Sequence, residues 1–185
     1  ELIKTALPLN PGLSGNKLSN YHYFYDLLLA ATFNISQVPV IDLLYRFYPL
    51  LFSLLLGIGT YYLVKNITNN KLAILFSLYF VYFAGSFGWI IDLVKSRELG
   101  GESAFWVNQP VSSNLNHPFA ISLVLVVAIL LLIKQITQKA DFKTLLPIVL
   151  LVGALIEFKV YAGVIILGSL TLIALQQIIF SKQFF

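Results

Sequence analysis

His22 and Asp26 are the first residues whose types and spacing suggest chemistry. They lie four apart, so a helix puts both on one face. A histidine–carboxylate pair can orient a base or hold a metal. It can also be a hydrogen-bonded pair facing lipid headgroups. A second group lies between Lys95 and His117, where Glu98, Glu102, Trp106, Asn108, Gln109, Asn114, Asn116 and His117 gather. An indole stacked on a sugar ring, with amides and carboxylates reading its hydroxyls, suits carbohydrate. The plain alternative is a wet loop with Trp106 anchored at a membrane interface. Pro118 is a good first-turn residue, so His117 also reads as a helix start. Glu157 and Lys159 form a third group, set between two apolar runs. Charges at membrane depth are costly and usually paired or functional; at the interface, a lysine simply snorkels.

Two further spacings read as structural. Asp42 and Arg46 are four apart and suit an ion pair. Gly57-Ile-Gly59 sits inside an apolar run and suits close helix packing better than a nucleotide loop.

The elements that must position these residues follow from composition. Of 185 residues, 58% are apolar and only 11% charged, against about a quarter charged in a soluble domain. Mean hydropathy is +0.85. These values exclude a disordered, collagenous or nucleic-acid-binding chain, and the net charge of +4 is scattered rather than patched. With no cysteine there is no disulfide framework and no thiolate-bound metal.

A membrane-crossing helix needs about 20 apolar residues. Runs free of formal charge at 47–64, 72–91, 118–133, 144–156 and 160–181 place transmembrane helices at 43–64, 72–93, 117–134, 144–157 and 160–181. The fourth is short, because a single helix through both final runs would be too long for one crossing; the chain is expected to turn at Glu157-Phe158-Lys159. Residues 21–33, aromatic at one end and too short to cross, suit an interfacial helix. Residues 1–20 and 95–116 are expected as loops on the outer face. The expectation is an all-α, polytopic transmembrane helical bundle with one interfacial helix, forming a single membrane-embedded unit. Lys65, Lys71, Lys134, Lys139, Lys143 and Lys182 on one side, against Lys4, Lys17, Lys95 and Arg97 on the other, slightly favour the first side as cytoplasmic. The absence of methionine and the loop-like beginning suggest a fragment with a missing upstream part.

The stretch LNPGLSGNKLSNYHYFYDLLLAA, Leu9 to Ala31, resembles the segment that follows the first outer loop in GT-C-type membrane glycosyltransferases and their bacterial relatives. Tyr21, His22, Tyr23 and Asp26 carry the resemblance, with the spacing to the following spans and the lysine between the last two helices. It implies a multi-pass enzyme of the bacterial plasma membrane. Such an enzyme moves a sugar from a polyprenyl-phosphate donor to an acceptor on the outer face. Its catalytic carboxylate would fall before Glu1. His22 and Asp26 would be positioning residues; Glu102, Trp106, Asn108, Gln109, His117 and Lys159 would bind substrate. Lys95 and Arg97 are further cations for the leaving phosphate. Metal dependence varies in the group, so the cofactor stays open, a divalent metal being one option. A transporter or flippase, and a non-catalytic membrane scaffold, are the alternatives; the charge-free spans argue against a polar conduction track.

Overall fold

The computed structural model describes residues 24–85, 88–97, 109–136 and 142–180, and among them every regular element is a helix. Helix α1 is Phe24–Ser36, ending as Gln37 takes a left-handed conformation with φ of 57°. Helix α2 is Val40–Lys65. Its 26 residues make a rod of about 39 Å.

α2 carries a defect that its sequence explains. Pro49 has no N–H to give. The turn before it, Leu43–Phe47, widens into a π-helix, with the Tyr48 N–H bonded to the Leu43 carbonyl five residues back. In that register the donor owed to the Leu44 carbonyl is Pro49, so this carbonyl is open to a partner from elsewhere.

Helix α3 is Lys71–Phe83, capped by Asn70, whose side chain accepts from the Leu72 and Ala73 amides. It stops at Ala84, which is extended. Helix α4, Gly88–Ser96, follows separately. The expected continuous span over 72–93 is therefore corrected to two helices: Ala84 turns the chain away, and its carbonyl accepts the Gln109 amide at 3.3 Å. Helix α5, Gln109–Leu115, likewise lies inside the expected loop 95–116. Helix α6 is His117–Ile136, with Asn116 as its cap: the Asn116 side chain accepts the Phe119 amide at 3.3 Å. Helices α7, Phe142–Phe158, and α8, Val160–Phe180, break at Lys159, as anticipated. The first has 17 residues, longer than the expected 144–157.

The main axis of the molecule is the pair α2 and α6, which run parallel. At one end His117 meets Tyr45. Further along, Phe52 and Ala120 fall in one buried cluster. Gly59 lies against Val127, and at the far end Lys134 donates to the Asn66 carbonyl. The last two pairs share a sequence separation of 68 and repeat every seven residues, the spacing of a helix pair that coils gently about a common seam. α3 packs back on α2, where the Tyr82 hydroxyl donates to the Ser53 carbonyl at 2.5 Å and occupies the space a Gly57 side chain would need. Both glycines are thus packing residues. On the other side, Ile129 of α6 and Leu155 of α7, both 0% exposed, centre a second apolar cluster with Ile166 of α8. Gly163 admits Ile156 across the Lys159 turn.

Among the described residues, two helices, Val40–Lys65 and His117–Lys134, are long and apolar enough to cross a membrane by length and composition. In each, only 22% of the most apolar window is buried.

Candidate functional site

Four segments converge at the end where α2 and α6 begin. α1 contributes Tyr25, which is buried, and Asp26 beside it, which is half-buried. The π-helical turn of α2 contributes Tyr45 and then Tyr48. α6 contributes His117, 7% exposed. The α7–α8 junction contributes Phe158 and Lys159.

The rings hold these parts together. Tyr25 stacks on His117 with centroids 5.8 Å apart and planes 15° apart. Tyr45 meets the same imidazole edge-on at 5.8 Å. Tyr48 stacks on Phe52 at 5.1 Å, and Phe24 meets Phe158 edge-on at 5.0 Å. Such contacts fix ring positions as well as burying area. Tyr48 is also fixed by its hydroxyl, 2.5 Å from the Thr32 hydroxyl of α1.

The polar groups inside this cluster are unevenly satisfied. The His117 ring makes a polar contact with the Leu44 backbone carbonyl, the group that Pro49 leaves open. Among the described residues, His117 Nε2 and the Tyr25 hydroxyl are both buried without a hydrogen-bond partner. Buried polar atoms are nearly always paired, so these two make the cluster a candidate site; a third such atom, Thr60 Oγ1, lies further along α2. Burial first, then the neighbouring Tyr48 and the Asp26 carboxylate, push the Tyr25 phenol above its ordinary range and keep it neutral.

Beside the cluster, α2, α3, α5 and α6 enclose a cavity of about 210 Å³. Gln109 lies in its wall with its amide nitrogen donated to the Val81 carbonyl. Phe52 and Ala120 belong to both the cavity wall and the aromatic cluster.

Of the sequence-derived candidates, Asp26, His117 and Lys159 fall at this end, and Gln109 lines the adjoining cavity. Lys159 is half-buried where α7 gives way to α8, its ammonium 5.6 Å from the centre of the Tyr161 ring. Glu157 is exposed. Asp42 and Arg46 form their expected ion pair at 2.9 Å, on the surface. His22, Glu102, Trp106 and Asn108 lie outside the described residues. Among those residues, no group of three or more histidines and acids could hold a metal ion. Sequence reading missed Tyr25, Tyr45 and Tyr48. The signal was present: Tyr45, Tyr48 and Phe52 follow three-and-four helical spacing just around Pro49.

Compared with known proteins, the chain matches no family model, no curated protein and no solved structure.

Proposed function

We propose that the chain is the membrane-embedded part of a multi-pass glycosyltransferase. It would move a sugar from a lipid-phosphate donor to an acceptor at the His117 end of the bundle, on the outer face of a bacterial plasma membrane. Support for the membrane setting comes from where the apolar surface lies. Leu50, Leu54 and Ile58 of α2, Phe76 and Phe80 of α3 and Val164 and Ile165 of α8 each leave more than half of their surface uncovered. Patches of this extent are unfavourable in water and natural in lipid.

The observation that carries the sugar-transfer reading is the convergence at one end of Asp26, His117, Lys159 and a cavity lined by Gln109. In the reaction, an acceptor hydroxyl loses its proton to a carboxylate and attacks the anomeric carbon. The bond from that carbon to the phosphate oxygen breaks, and the lipid phosphate leaves with the electron pair. Lys159 suits the phosphate charge, and His117 with Asp26 orients the reactants. The base itself is assigned to no described residue.

The test uses the full-length protein that contains this chain, in lipid nanodiscs, with radiolabelled polyprenyl-phosphate monosaccharides. Transfer to an acceptor is expected, with Lys159→Gln and His117→Ala each lowering the rate about tenfold or more while size-exclusion profiles stay unchanged. No transfer from any such donor, or full rates in both variants, sinks the reading and leaves transport or scaffolding. Release of the chain from membranes by alkaline carbonate would sink the membrane assignment separately.

A further inference from the structure

The cavity between α2, α3, α5 and α6 has two unlike walls. One is aromatic, made by Phe52, Tyr82 and Phe83. The other is polar, made by Gln109, Ser113 and Asn114 of α5. Its 210 Å³ equals about seven water volumes. That is below the ~300–1,000 Å³ of pockets for drug-sized ligands and suits one substituted six-membered ring.

The hydrogen bonds already made inside the cavity narrow the ligand chemistry. Gln109 has given one amide hydrogen to the Val81 carbonyl, which leaves its side-chain oxygen to accept and its second N–H to donate. Tyr82 has given its hydroxyl hydrogen to the Ser53 carbonyl, so its oxygen can only accept. Ser113 can donate and accept. The wall therefore carries both donors and acceptors, and it matches hydroxyl groups, which give and accept hydrogen bonds alike. Opposite it, aromatic faces match the C–H side of a ring. Position adds to this. Ala120, in the cavity lining, stands one helical turn from His117, whose Nε2 has no partner among the described residues.

We propose that this cavity binds the monosaccharide ring of the lipid-linked donor, with Gln109 and Ser113 reading its hydroxyls and Phe52 and Tyr82 framing its apolar side. The ligand class rests on the sugar-transfer reading above; the placement rests on the cavity alone.

The experiment compares two probes on the full chain in nanodiscs: a short polyprenyl-phosphate hexose and the same polyprenyl phosphate without sugar. Their affinities are measured by isothermal titration calorimetry. The sugar-bearing lipid is expected to bind about tenfold more tightly, a modest hydrogen-bonded gain. Ser113→Ala, which removes one hydroxyl and adds no bulk, should reduce that preference about fivefold. Ser113→Leu, which fills the cavity, should abolish it and leave the sugar-free lipid bound as before. Thermal unfolding identical to the parent's certifies each variant. Equal affinities for the two probes, or a preference surviving in Ser113→Leu, overturns the proposal. Sugar preference lost on filling the cavity, in a full-length protein that transfers nothing, would uphold this site and sink the transferase reading. Transfer with a preference indifferent to Ser113 would do the reverse.

Discussion

The seam between α2 and α6 yields a quantitative expectation at Gly59. A methyl group there would stand 2.8 Å from Val127 Cγ1, whereas carbons rest at about 3.5–4.0 Å, a shortfall of at least about 0.7 Å. Valine in a helix is held almost entirely in one side-chain rotamer, so it cannot swing aside cheaply. The helices must part, and a gap of ~0.5–1 Å forfeits a quarter to a half of each dispersion contact along the seam. Overpacking of this kind costs about 1–3 kcal/mol. Against it, alanine gains about 0.8–1.0 kcal/mol over glycine in a helix interior. Gly59→Ala should therefore be destabilising by about 1 kcal/mol net. Gly153 and Gly168 supply the reference, since a methyl at either meets nothing within 4 Å. Their alanine variants should gain up to about 1 kcal/mol from propensity alone. The difference between Gly59→Ala and Gly168→Ala cancels propensity and isolates the clash, about 1–3 kcal/mol. Unfolding free energies measured by SDS titration in mixed micelles read this directly. Val127→Ala removes the obstructing carbon, so in a double-mutant cycle it should recover about 1–2 kcal/mol of the loss. Should Gly59→Ala follow Gly168→Ala within about 0.5 kcal/mol, or the loss persist without Val127, the close parallel seam is wrong.

Four further outcomes follow from the same geometry. Tyr25→Phe and Thr60→Val each delete a buried hydroxyl with no partner among the described residues, so both should be neutral or stabilising by up to about 1 kcal/mol in the same titration. Because the Tyr25 phenol ionises later in the folded chain than in the unfolded one, its contribution is complete below about pH 10 and lost as pH rises further; unfolding followed against pH should show an alkaline loss that Tyr25→Phe reduces. Thr32→Val breaks the hydroxyl contact to Tyr48 and should cost about 0.5–1.5 kcal/mol by thermal unfolding, a loss that Tyr48→Phe does not add to. Pro49→Ala returns a backbone donor, so stability should rise while the Leu44 carbonyl is drawn back into α2, seen as a shifted His117 imidazole resonance in NMR.

Much of the helix layout was legible because charges mark it. Lys65 and Lys134 close α2 and α6, and Glu157 with Lys159 flags the turn between α7 and α8. The break at Ala84 escaped because no charge marks it: the run stays apolar or small through Ala84, Gly85 and Ser86, and hydropathy alone carries a span across them. α5 escaped because Gln109–Leu115 is too polar and too short to show a helical period. His117 was legible as a helix start; its burial against Tyr25 was not, since that contact joins residues far apart in sequence. The cavity was least legible of all. Phe52 and Tyr82 read as ordinary members of apolar runs until α2, α3 and α5 are brought together.

Neighbouring helices that run parallel cannot be joined by a tight hairpin, and here the partners are separated by 68 residues. α2 and α3 can pair as soon as both exist, but the Gly59 face waits until α6 has been synthesised. Closure over so long a separation is slow relative to local pairing. Contact order therefore predicts that the α2–α3 hairpin forms before α6 docks, which brings Tyr25, Tyr45 and His117 together last. A chain truncated before His117 would keep the paired hairpin but leave the Gly59 face without its Val127 partner.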